Sequence, residues 1–504
     1  MKILLTTLNA KYIHSNLAIR YLYAAAEERI SNLSIREFTI NNDMDYIFTE
    51  LLRGEYDVVG FSCYIWNIEY IVKIAENLKK AVPHIKLLLG GPEVSFDTLH
   101  FMETYPFVDF IIQGEGEEGF CQLAEKLVEG SHELGKIKGL VYRHDGKICV
   151  NPVTETIDFE KIVFPYDKLV CESDKVIYYE STRGCPYQCA YCLSSIEKRI
   201  RTLPMERIKS ELSYFIHKGV KQVKFIDRTF NWNKVRTLEI LKFLMDRDNG
   251  VTNFHCEICA DLIDEAFLDL LQKARKDLFQ FEIGVQSTNK KTLRACNRNS
   301  DFPTLRKNVK GIIQLKNTHV HVDLIAGLPY EDYHSFRDSF NNVYELGAEN
   351  LQLGFLKLLK GTPIREKIEE YGYVYRAQPP YEVISNEYLS AQELVKLKMI
   401  EKVLDLYHNR GGFENTLAYF IDQICVSPFH FYEEFSNFYY IRGFQNVSHK
   451  KEDLYRILFS YAIWKLKNKT VDKAEVKALL ELDMKHTLNQ DAVKKFERKG
   501  WDIL

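Results

Sequence analysis

Residues 181–195 read STRGCPYQCAYCLSS and place Cys185, Cys189 and Cys192 in a C-x3-C-x2-C pattern. With 11 cysteines among 504 residues, this spacing arises by chance in roughly 0.5 % of such chains. Three thiolates in one short loop can hold three irons of a [4Fe–4S] cluster, and no fourth cysteine follows nearby for the last iron. An iron without a protein ligand can bind a substrate, so the motif predicts a catalytic cluster.

A zinc site is the alternative interpretation of these cysteines. Zinc prefers four ligands, often as two separated pairs, and Cys256 and Cys259, with His255 beside them, would offer a second pair. These residues lie in a predicted strand, where positions 256 and 259 point to opposite faces. The spacing therefore favours an iron–sulfur cluster, and we expect Cys256 and Cys259 to be ordinary core cysteines.

Six strand-like runs between residues 176 and 359 alternate with helical patterns, and the cysteine motif follows the first run. Such an alternation predicts a partial or full parallel βα barrel, with its chemistry at the carboxyl ends of the strands. Polar residues stand at or near these ends: Asp227, Glu257, Glu282, Gln286, Ser287 and Asp323. The acidic residues among them have a structural explanation as an alternative to a functional one: they could cap the following helices or pair with nearby basic side chains.

The first 130 residues contain five shorter apolar runs separated by amphipathic segments. Apolar strands between helices predict a doubly wound parallel sheet, whose ligands lie at the carboxyl ends of its strands. Glycines stand at two of these ends, in Gly90–Gly91 and Gly114–Gly116. They permit a close approach of a bulky ligand to the backbone, although tight βα turns explain them equally well.

The predicted class is α/β, and we expect four segments along the chain. They are a Rossmann-like domain over 1–135, a linker with a hairpin over 136–172, a partial barrel over 173–365 and a helical region over 366–504. The hairpin turns at Asp145–Gly146. Residues 428–444 hold eight aromatics, which either pack helices together or grip a planar substrate.

The composition restricts partners and location. The 67 basic and 70 acidic side chains leave a formal net charge of −3, which provides no global field for DNA or RNA. The basic stretch 198–201 keeps RNA modification as an alternative, although a solvated helix face explains it too. No apolar run of membrane length and no secretory signal pattern stand in the sequence, so we expect a cytoplasmic protein without a membrane partner.

The cysteine motif, with aromatic Tyr191 before its last cysteine, resembles that of the radical S-adenosylmethionine (SAM) superfamily. Supporting motifs occur in the order that this family has them, over about 176–363. FIDRTF, with Asp227, resembles the second-strand segment whose backbone and acid meet the SAM amino group. The resemblance implies a partial barrel that binds a [4Fe–4S] cluster through Cys185, Cys189 and Cys192, and SAM beside it.

Two later motifs extend this resemblance. FEIGVQS resembles the E-x-G-x-Q-S of the fourth strand, which implies that Glu282, Gln286 and Ser287 approach the ribose or methionine of SAM. DLIAGLP, with Asp323 and Gly327, resembles the fifth-strand segment that lines the adenine site. Each motif is weak alone, but their order makes the resemblance specific.

The amino-terminal segment resembles the cobalamin-binding module of the cobalamin-dependent radical SAM subclass. The resemblance implies that loops at its strand ends hold the corrin and its nucleotide tail. The matching residues are Ser62, Gly90, Gly91, Gly114, Glu115 and Gly116. The D-x-H-x-x-G signature of the axial histidine is absent, since the chain reads LNAKYIHSNLA, and His14 is interpreted as a surface residue at a helix start. We therefore expect base-off cobalamin without a histidine ligand, or a module that has lost the cofactor.

The resemblance implies an enzyme that reductively cleaves SAM to a 5′-deoxyadenosyl radical and methylates an unactivated carbon of an unknown organic substrate. It also implies a one-electron reductant such as flavodoxin or ferredoxin. One alternative is a rearrangement, cyclisation or RNA modification without methyl transfer. An iron–sulfur redox sensor is a second alternative, which the missing fourth ligand and the SAM motifs disfavour. The carboxy-terminal region resembles an uncharacterised extension and does not indicate the substrate.

Overall fold

The computed structural model describes residues 1–153, 157–172, 174–466 and 472–501. It contains two large sheets of mainly parallel strands, and a helical region follows them in the chain. The predicted α/β class is therefore confirmed, including the helical character of the carboxy-terminal part.

The first sheet forms the amino-terminal unit, and its elements follow the predicted alternation. They are β1 (Ile3–Asn9), α1 (Leu17–Ala26), β2 (Leu33–Thr39), α2 (Met44–Arg53), β3 (Val58–Ser62), α3 (Ile68–Ala81), β4 (Lys86–Gly90), α4 (Pro92–Ser95), α5 (Thr98–Thr104), β5 (Phe110–Ile112), α6 (Glu117–Val128), β6 (Leu140–His144) and β7 (Lys147–Val150). The strand order is β2-β1-β3-β4-β5-β6-β7, and the first five strands in this order are parallel.

Both faces of this sheet are covered, which explains why its strands are apolar on both sides. Leu4, Val59 and Leu87 belong to the core on one face. Their chain neighbours Leu5, Val58 and Leu88 belong to the core on the other. The alternation of the pleat thus fills two cores from the same strands.

The hairpin predicted at Asp145–Gly146 forms β6 and β7, but it does not lie in a linker. Strand β6 pairs antiparallel with β5, and β7 pairs antiparallel with β6, so the hairpin extends the first sheet. Leu140 and Val141 are fully buried by this pairing. The first unit therefore continues to Val150, and residues 154–156 of the expected linker lie outside the described residues.

The second unit contains the cysteine motif and the predicted barrel strands. Its elements are β8 (Val176–Tyr179), β9 (Thr182–Arg183), β10 (Arg201–Thr202), α7 (Met205–Lys218), β11 (Gln222–Phe225), α8 (Lys234–Asp246), β12 (Asn253–Glu257), α9 (Glu265–Leu271), β13 (Phe279–Gln286), α10 (Lys290–Ala295), α11 (Phe302–Leu315), β14 (His319–Ala326), α12 (Tyr333–Tyr344) and β15 (Asn350–Phe355).

Six of these strands form an open parallel sheet in the order β8-β11-β12-β13-β14-β15. Lys224 on β11 reaches Glu282 on β13, two strands away, with an Nζ–Oε2 distance of 3.0 Å. Neighbouring strands lie about 4.8 Å apart, so these two long side chains meet across the intervening strand on the same face of the sheet. The side chains that meet in this way line the concave face of a partial barrel.

The carboxy-terminal part consists mainly of helices. Its elements are β16 (Val374–Tyr375), β17 (Val383–Ser385), α13 (Ala391–Leu404), α14 (Glu414–Tyr419), α15 (Pro428–Ile441), α16 (Lys451–Leu466), α17 (Lys473–Thr487) and α18 (Gln490–Lys499). The aromatic stretch 428–444 forms α15, and Phe431, Tyr432 and Phe435 are 0 % exposed. Of the two interpretations of this stretch, the packing of helices against one another is the one that the structure supports.

The barrel and the carboxy-terminal helices share one continuous hydrophobic core, from Leu17 and Ile177 to Phe496. Among the described residues, no helix combines the length and the apolar character that a membrane crossing requires.

Candidate active site

The cysteine loop leaves β9 in a conformation that depends on glycine. Gly184 has φ +96°, and a Cβ there would lie 2.3 Å from the Arg199 carbonyl oxygen. Further along, the Ala190 N–H donates to the Cys296 carbonyl at 2.9 Å. The Cys192 N–H donates to the Cys189 carbonyl at 3.0 Å. Backbone hydrogen bonds therefore fix the three thiols before any ligand binds.

The thiols of this loop suit a cluster better than a single ion. All three are free; Cys185 and Cys189 are buried, and Cys192 is half-buried. Their sulfurs do not all lie within 4.8 Å of one another. A zinc ion with Zn–S bonds of about 2.3 Å would need sulfurs no more than about 4.6 Å apart. Three thiols at wider spacing around one loop fit three corners of a [4Fe–4S] cluster.

Arg298 lies against the cysteine loop, although nothing in the sequence singled it out. Its guanidinium lies 3.6 Å from the Cys189 sulfur and 3.3 Å from the Tyr191 hydroxyl. It also donates to the Gly284 carbonyl. Burial raises the pKa of Tyr191, so its hydroxyl stays neutral beside this cation. The loop thus contains a fixed positive charge next to one cluster thiol.

Polar side chains from four neighbouring strands meet on the concave face of the barrel. Glu282 accepts from Lys224 at 3.0 Å and lies 3.1 Å from the Nε2 atom of His255. The hydrogen bond with His255 outweighs burial and, with the charge of Lys224, lowers the pKa of Glu282 to about 2. Burial, together with the neighbouring histidines, lowers the pKa of His321 to about 4. Glu282 is therefore an anion with partners already in place.

Asp323 and Gln286 hold polar atoms that no group of the protein satisfies. Burial, together with the nearby carboxylates of Glu282 and Glu257, raises the pKa of Asp323 to about 8. The Oδ1 atom of Asp323 and the Oε1 atom of Gln286 are buried without a hydrogen-bond partner. Buried polar atoms usually have partners, so these two, in the second half of β14 and at the carboxyl end of β13, suit a polar ligand.

Asp227 occupies a different place from the one that its motif implies. It is 0 % exposed, and its carboxylate accepts from the backbone N–H groups of Ser181 and Thr182 at 2.8 and 3.1 Å. It also pairs with Arg236 at 3.2 Å. Its oxygens are thus directed into the protein, where they fix the turn that precedes the cysteine loop.

Ser287 and Gly327 are likewise bound within the protein. The Ser287 hydroxyl donates to Glu331 at 2.6 Å and is 1 % exposed. The Gly327 carbonyl accepts from Tyr373 and Asn386 at 3.2 and 2.9 Å. These contacts join the strand ends to the segments that follow them.

The loops of the first sheet depend on glycine at one close approach in particular. Gly91 has φ +106°, and a Cβ there would lie 2.6 Å from the Cys63 carbonyl oxygen. The Ser62 carbonyl accepts from Thr7 and Asn67, and the Gly90 carbonyl accepts from the Cys63 N–H at 2.7 Å. These contacts keep the ends of β3 and β4 close together.

The next loop contains Gly114, with φ +70°, and Gly116, the residue before α6. Between them, Glu115 accepts from Arg183 at 3.0 Å and from Arg201 at 2.5 Å. Burial opposes ionisation of Glu115, but these two arginines outweigh it and lower its pKa. Arg183 lies two residues before Cys185, so Glu115 joins the first sheet to the cysteine loop.

His14 also lies between the two units. Its Nδ1 atom is 2.8 Å from the Tyr178 hydroxyl, and its backbone bridges to Val176 at the start of the barrel. Burial lowers its pKa, so the ring favours the neutral form. The residue is half-buried rather than at the surface, which corrects the sequence-based interpretation.

A cavity of about 1160 Å³ runs between the first sheet and the cysteine loop. It is larger than the roughly 300–1,000 Å³ of pockets for drug-sized ligands. Gly91 and Gly114 line one side, and Arg183, Ile196 and Arg201 line the other. No histidine is among the described residues that line it. Such a space, with glycines along one wall, fits a large planar cofactor.

Several residues of this site could not be inferred from the sequence. Arg298, Lys224 and Glu331 belong to no motif, and each meets its partners far along the chain. Polar residues at strand ends were the only available signal, and that signal identified Asp323 and Glu257 but not Arg298.

An α/β protein with a three-cysteine loop at the end of the first strand of an open parallel barrel is of the radical SAM class. Family models match the chain in three segments. A B12 binding domain matches residues 3–124, the radical SAM superfamily residues 179–343, and a protein of unknown function, DUF4080, residues 369–501. The chain therefore combines a B12 binding domain and a radical SAM domain with a carboxy-terminal region of unknown function.

Similar proteins of known name support this assignment. The cobalamin-dependent radical SAM methyltransferase TokK of Streptomyces tokunonensis is 28 % identical over 342 residues, which are 63 % of this chain and 50 % of TokK. The chain spans about half the length of the curated relatives with which it is first matched.

Solved structures share the fold. The radical SAM methyltransferase TsrM from Kitasatospora setae superposes with a TM-score of 0.62 at 17 % identity, over 75 % of this chain and 78 % of TsrM. The cobalamin-dependent SAM radical enzyme OxsB superposes with a TM-score of 0.62 at 15 % identity, over 99 % of this chain and 84 % of OxsB. At these identities the comparison shows a shared fold and nothing more. The superposition with OxsB covers 99 % of this chain, so the shared fold includes the carboxy-terminal helices.

Proposed function

We propose that this protein is a cobalamin-dependent radical SAM methyltransferase that methylates an unactivated carbon of an organic substrate. The observation that carries the proposal is the joining of two units by Glu115 and Arg183. One unit has the B12 binding domain, and the other has the three-cysteine loop. A large cavity separates them at that junction. When bound, the cluster supplies the electron that cleaves SAM, and the corrin carries the methyl group.

We assign Cys185, Cys189 and Cys192 as the three cluster ligands. Gly184 and the backbone hydrogen bonds of the loop would orient them, while Arg298 and Tyr191 would exclude water from one side. The fourth iron, which has no cysteine ligand, would be the site at which SAM binds.

For SAM we assign direct contacts to Gln286, Asp323 and Glu282. Gln286 and Asp323 offer buried atoms without partners, and a protonated Asp323 carboxyl could donate to a hydroxyl or ring nitrogen. Asp227 and Ser287 would act instead as positioning residues, since their polar atoms are bound within the protein.

For cobalamin we assign the loops that contain Ser62, Gly90, Gly91, Gly114 and Gly116. Within this region Glu115 would hold the junction rather than touch the corrin. We propose a base-off corrin without a histidine ligand, because no histidine is among the described lining residues of the cavity and His14 is bound to Tyr178.

The cytoplasmic location and a flavodoxin or ferredoxin reductant stay predictions.

The test is anaerobic reconstitution of the full chain with iron, sulfide and hydroxocobalamin, followed by desalting and an absorption spectrum. We expect a cluster band and about one retained corrin per chain. The reconstituted protein is then given SAM and a strong reductant, and 5′-deoxyadenosine and S-adenosylhomocysteine are measured.

Each outcome selects one function. Both products, with retained corrin, support the methyltransferase. 5′-Deoxyadenosine without retained corrin leaves a radical SAM enzyme with another outcome, such as rearrangement, cyclisation or RNA modification. A cluster that cleaves no SAM favours the redox sensor. The variant C171S removes a half-buried cysteine outside the loop. It should give the same spectrum and the same products as the unchanged protein.

A further inference from the structure

A second group of metal-type side chains lies in the carboxy-terminal region. Cys425 precedes α15, and His430 and Glu434 occupy its first two turns, four residues apart. Their sulfur, ring nitrogen and carboxylate oxygen lie within 4.8 Å of one another. Among the described residues, it is the single group of three or more such side chains that meets this spacing. None of the three belongs to the barrel or to the cysteine loop.

The spacing on the helix explains why these side chains converge. Residues four apart lie on the same face of a helix, so His430 and Glu434 point in the same direction, with an Nδ1–Oε2 distance of 3.5 Å. Ser427 accepts a hydrogen bond from the His430 N–H at 3.3 Å and so begins the helix next to Cys425.

Two buried atoms at this place have no hydrogen-bond partner. One is the Nδ1 atom of His430, whose nearest carboxylate oxygen, on Glu434, is 3.5 Å away; the other is the hydroxyl of Tyr461 on α16, which lies near Cys425 and Glu434 but has hydrogen-bond geometry to neither. Leaving a buried polar atom without a partner costs roughly 1–3 kcal/mol. An imidazole nitrogen, a thiol and a carboxylate that converge on one point form a set of metal-ligand atoms.

We propose that Cys425, His430 and Glu434 bind one Zn²⁺ ion, with water in the fourth position. A thiolate, an imidazole and a carboxylate are all ligands of zinc, whereas Mg²⁺ and Ca²⁺ prefer oxygen alone. The thiol proton of Cys425 is released to solvent when the ion binds. In a tetrahedral site, Zn–S and Zn–N bonds of about 2.3 and 2.0 Å place the sulfur and the nitrogen about 3.5 Å apart, so side-chain rotations of about 1 Å close the present spacing of at most 4.8 Å.

The surroundings offer a charge balance and a route of entry. The thiolate and the carboxylate together balance the two positive charges of the ion, and Lys465 of α16 pairs with the Glu434 carboxylate. The His430 side chain is 41 % exposed and Val426 is 91 % exposed, so solvent reaches the site. The ion would fasten the segment before α15 to that helix and, through Glu434 and Lys465, to α16.

The test uses the full chain with its [4Fe–4S] cluster reconstituted, so that the loop thiols are occupied. One equivalent of Zn²⁺ is added, excess is removed, and zinc X-ray absorption is recorded. We expect about one zinc per chain with one sulfur neighbour near about 2.3 Å and about three nitrogen or oxygen neighbours. Three sulfur neighbours would place zinc in the cysteine loop and overturn the proposal, as would nitrogen and oxygen neighbours alone.

Variants then identify the ligands. C425S and H430Q should each weaken zinc binding at least tenfold in competition with a chelator, and C425S should also remove the sulfur neighbour. C171S, a half-buried cysteine outside this group, is the matched control and should bind zinc unchanged. Circular dichroism separates loss of fold from loss of a ligand, and H430Q keeps the test decisive if C425S fails to fold. Unchanged affinity in both variants would refute the proposal.

Discussion

Arg298 is the residue through which the protein acts most directly on the electronic properties of the cysteine loop. Its guanidinium is buried and lies 3.6 Å from the Cys189 sulfur. A fixed positive charge beside a cluster favours the reduced state, which carries one more negative charge. Side chains of this kind are among the means by which proteins set cluster potentials.

We therefore expect R298Q to lower the midpoint potential of the reconstituted cluster by on the order of 60 mV, which for one electron corresponds to about 1.4 kcal/mol. A redox titration followed by electron paramagnetic resonance measures this shift. R298K keeps the charge and should shift the potential less. R294Q removes an exposed arginine of the neighbouring helix and should leave it unchanged. A potential for R298Q equal to that of the unchanged protein would contradict the electrostatic role.

Asp323 makes the stability of the barrel depend on pH. Its pKa is about 8 in the folded protein because of burial and of the nearby Glu282 and Glu257, against an ordinary value of 3.8. Between these two values the unfolded chain has lost the proton that the folded chain still holds. The free energy of unfolding must therefore fall as pH rises from about 4 to 8, and level off above that range.

D323N cannot ionise and should lose this part of the pH dependence. We expect its thermal midpoint, relative to the unchanged protein without cofactors, to rise steadily between pH 5 and pH 8. D277N, at an exposed turn, is the control and should follow the unchanged protein at every pH. A constant difference between D323N and the unchanged protein would mean that Asp323 titrates as an ordinary carboxylate.

At the scale of elements, the loop before α6 and the segment around the cysteine motif form one structural unit. Glu115 contacts Arg183 and Arg201, and it also accepts from the Ile157 N–H at 2.9 Å. Arg183 in turn pairs with Glu180 at 2.8 Å. Removing one charge from such a network leaves the other charges buried without compensation.

E115Q should therefore lower the free energy of unfolding by about 2 kcal/mol. This loss lies between the losses typical of breaking an exposed ion pair and of breaking a buried one. Urea denaturation measures it, since urea does not screen charge. E118Q changes an exposed glutamate in the first turn of α6, three residues further along the chain, and should have an effect within about 0.5 kcal/mol. Equal effects of the two substitutions would show that the network contributes no more than a surface contact.

The elements also show how far the sequence was sufficient. Strand and helix alternation predicted both parallel sheets, because period and turn residues are local properties. The pairing of β6 with β5 was missed, since a hairpin alone does not indicate which sheet it joins. The contacts of Arg298 and Glu115 were missed for a similar reason. Their partners lie 109 and 68 residues away, at distances along the chain that no motif spans.

At the scale of the whole molecule, the two proposed cofactors depend on different sheets. The loops assigned to cobalamin follow β3, β4 and β5, whereas the cluster loop follows β9. Each sheet has its own hydrophobic core, and the first sheet packs its two faces without residues of the cysteine loop. Each site should therefore survive the loss of the other, although Glu115 joins them.

We expect the variant C185A/C189A/C192A to lose the cluster band and still retain about one corrin per chain. S95W should do the reverse, because Ser95 lines the cavity beside Gly91 and Gly114, and an indole would fill space that the corrin needs. K147W, on the exposed face of β7, is the matched control and should keep both. Absorption spectra after reconstitution and desalting measure both cofactors. Loss of corrin from the cysteine variant, with circular dichroism unchanged, would mean that corrin binding requires the loaded cluster and would contradict the independence of the two sites.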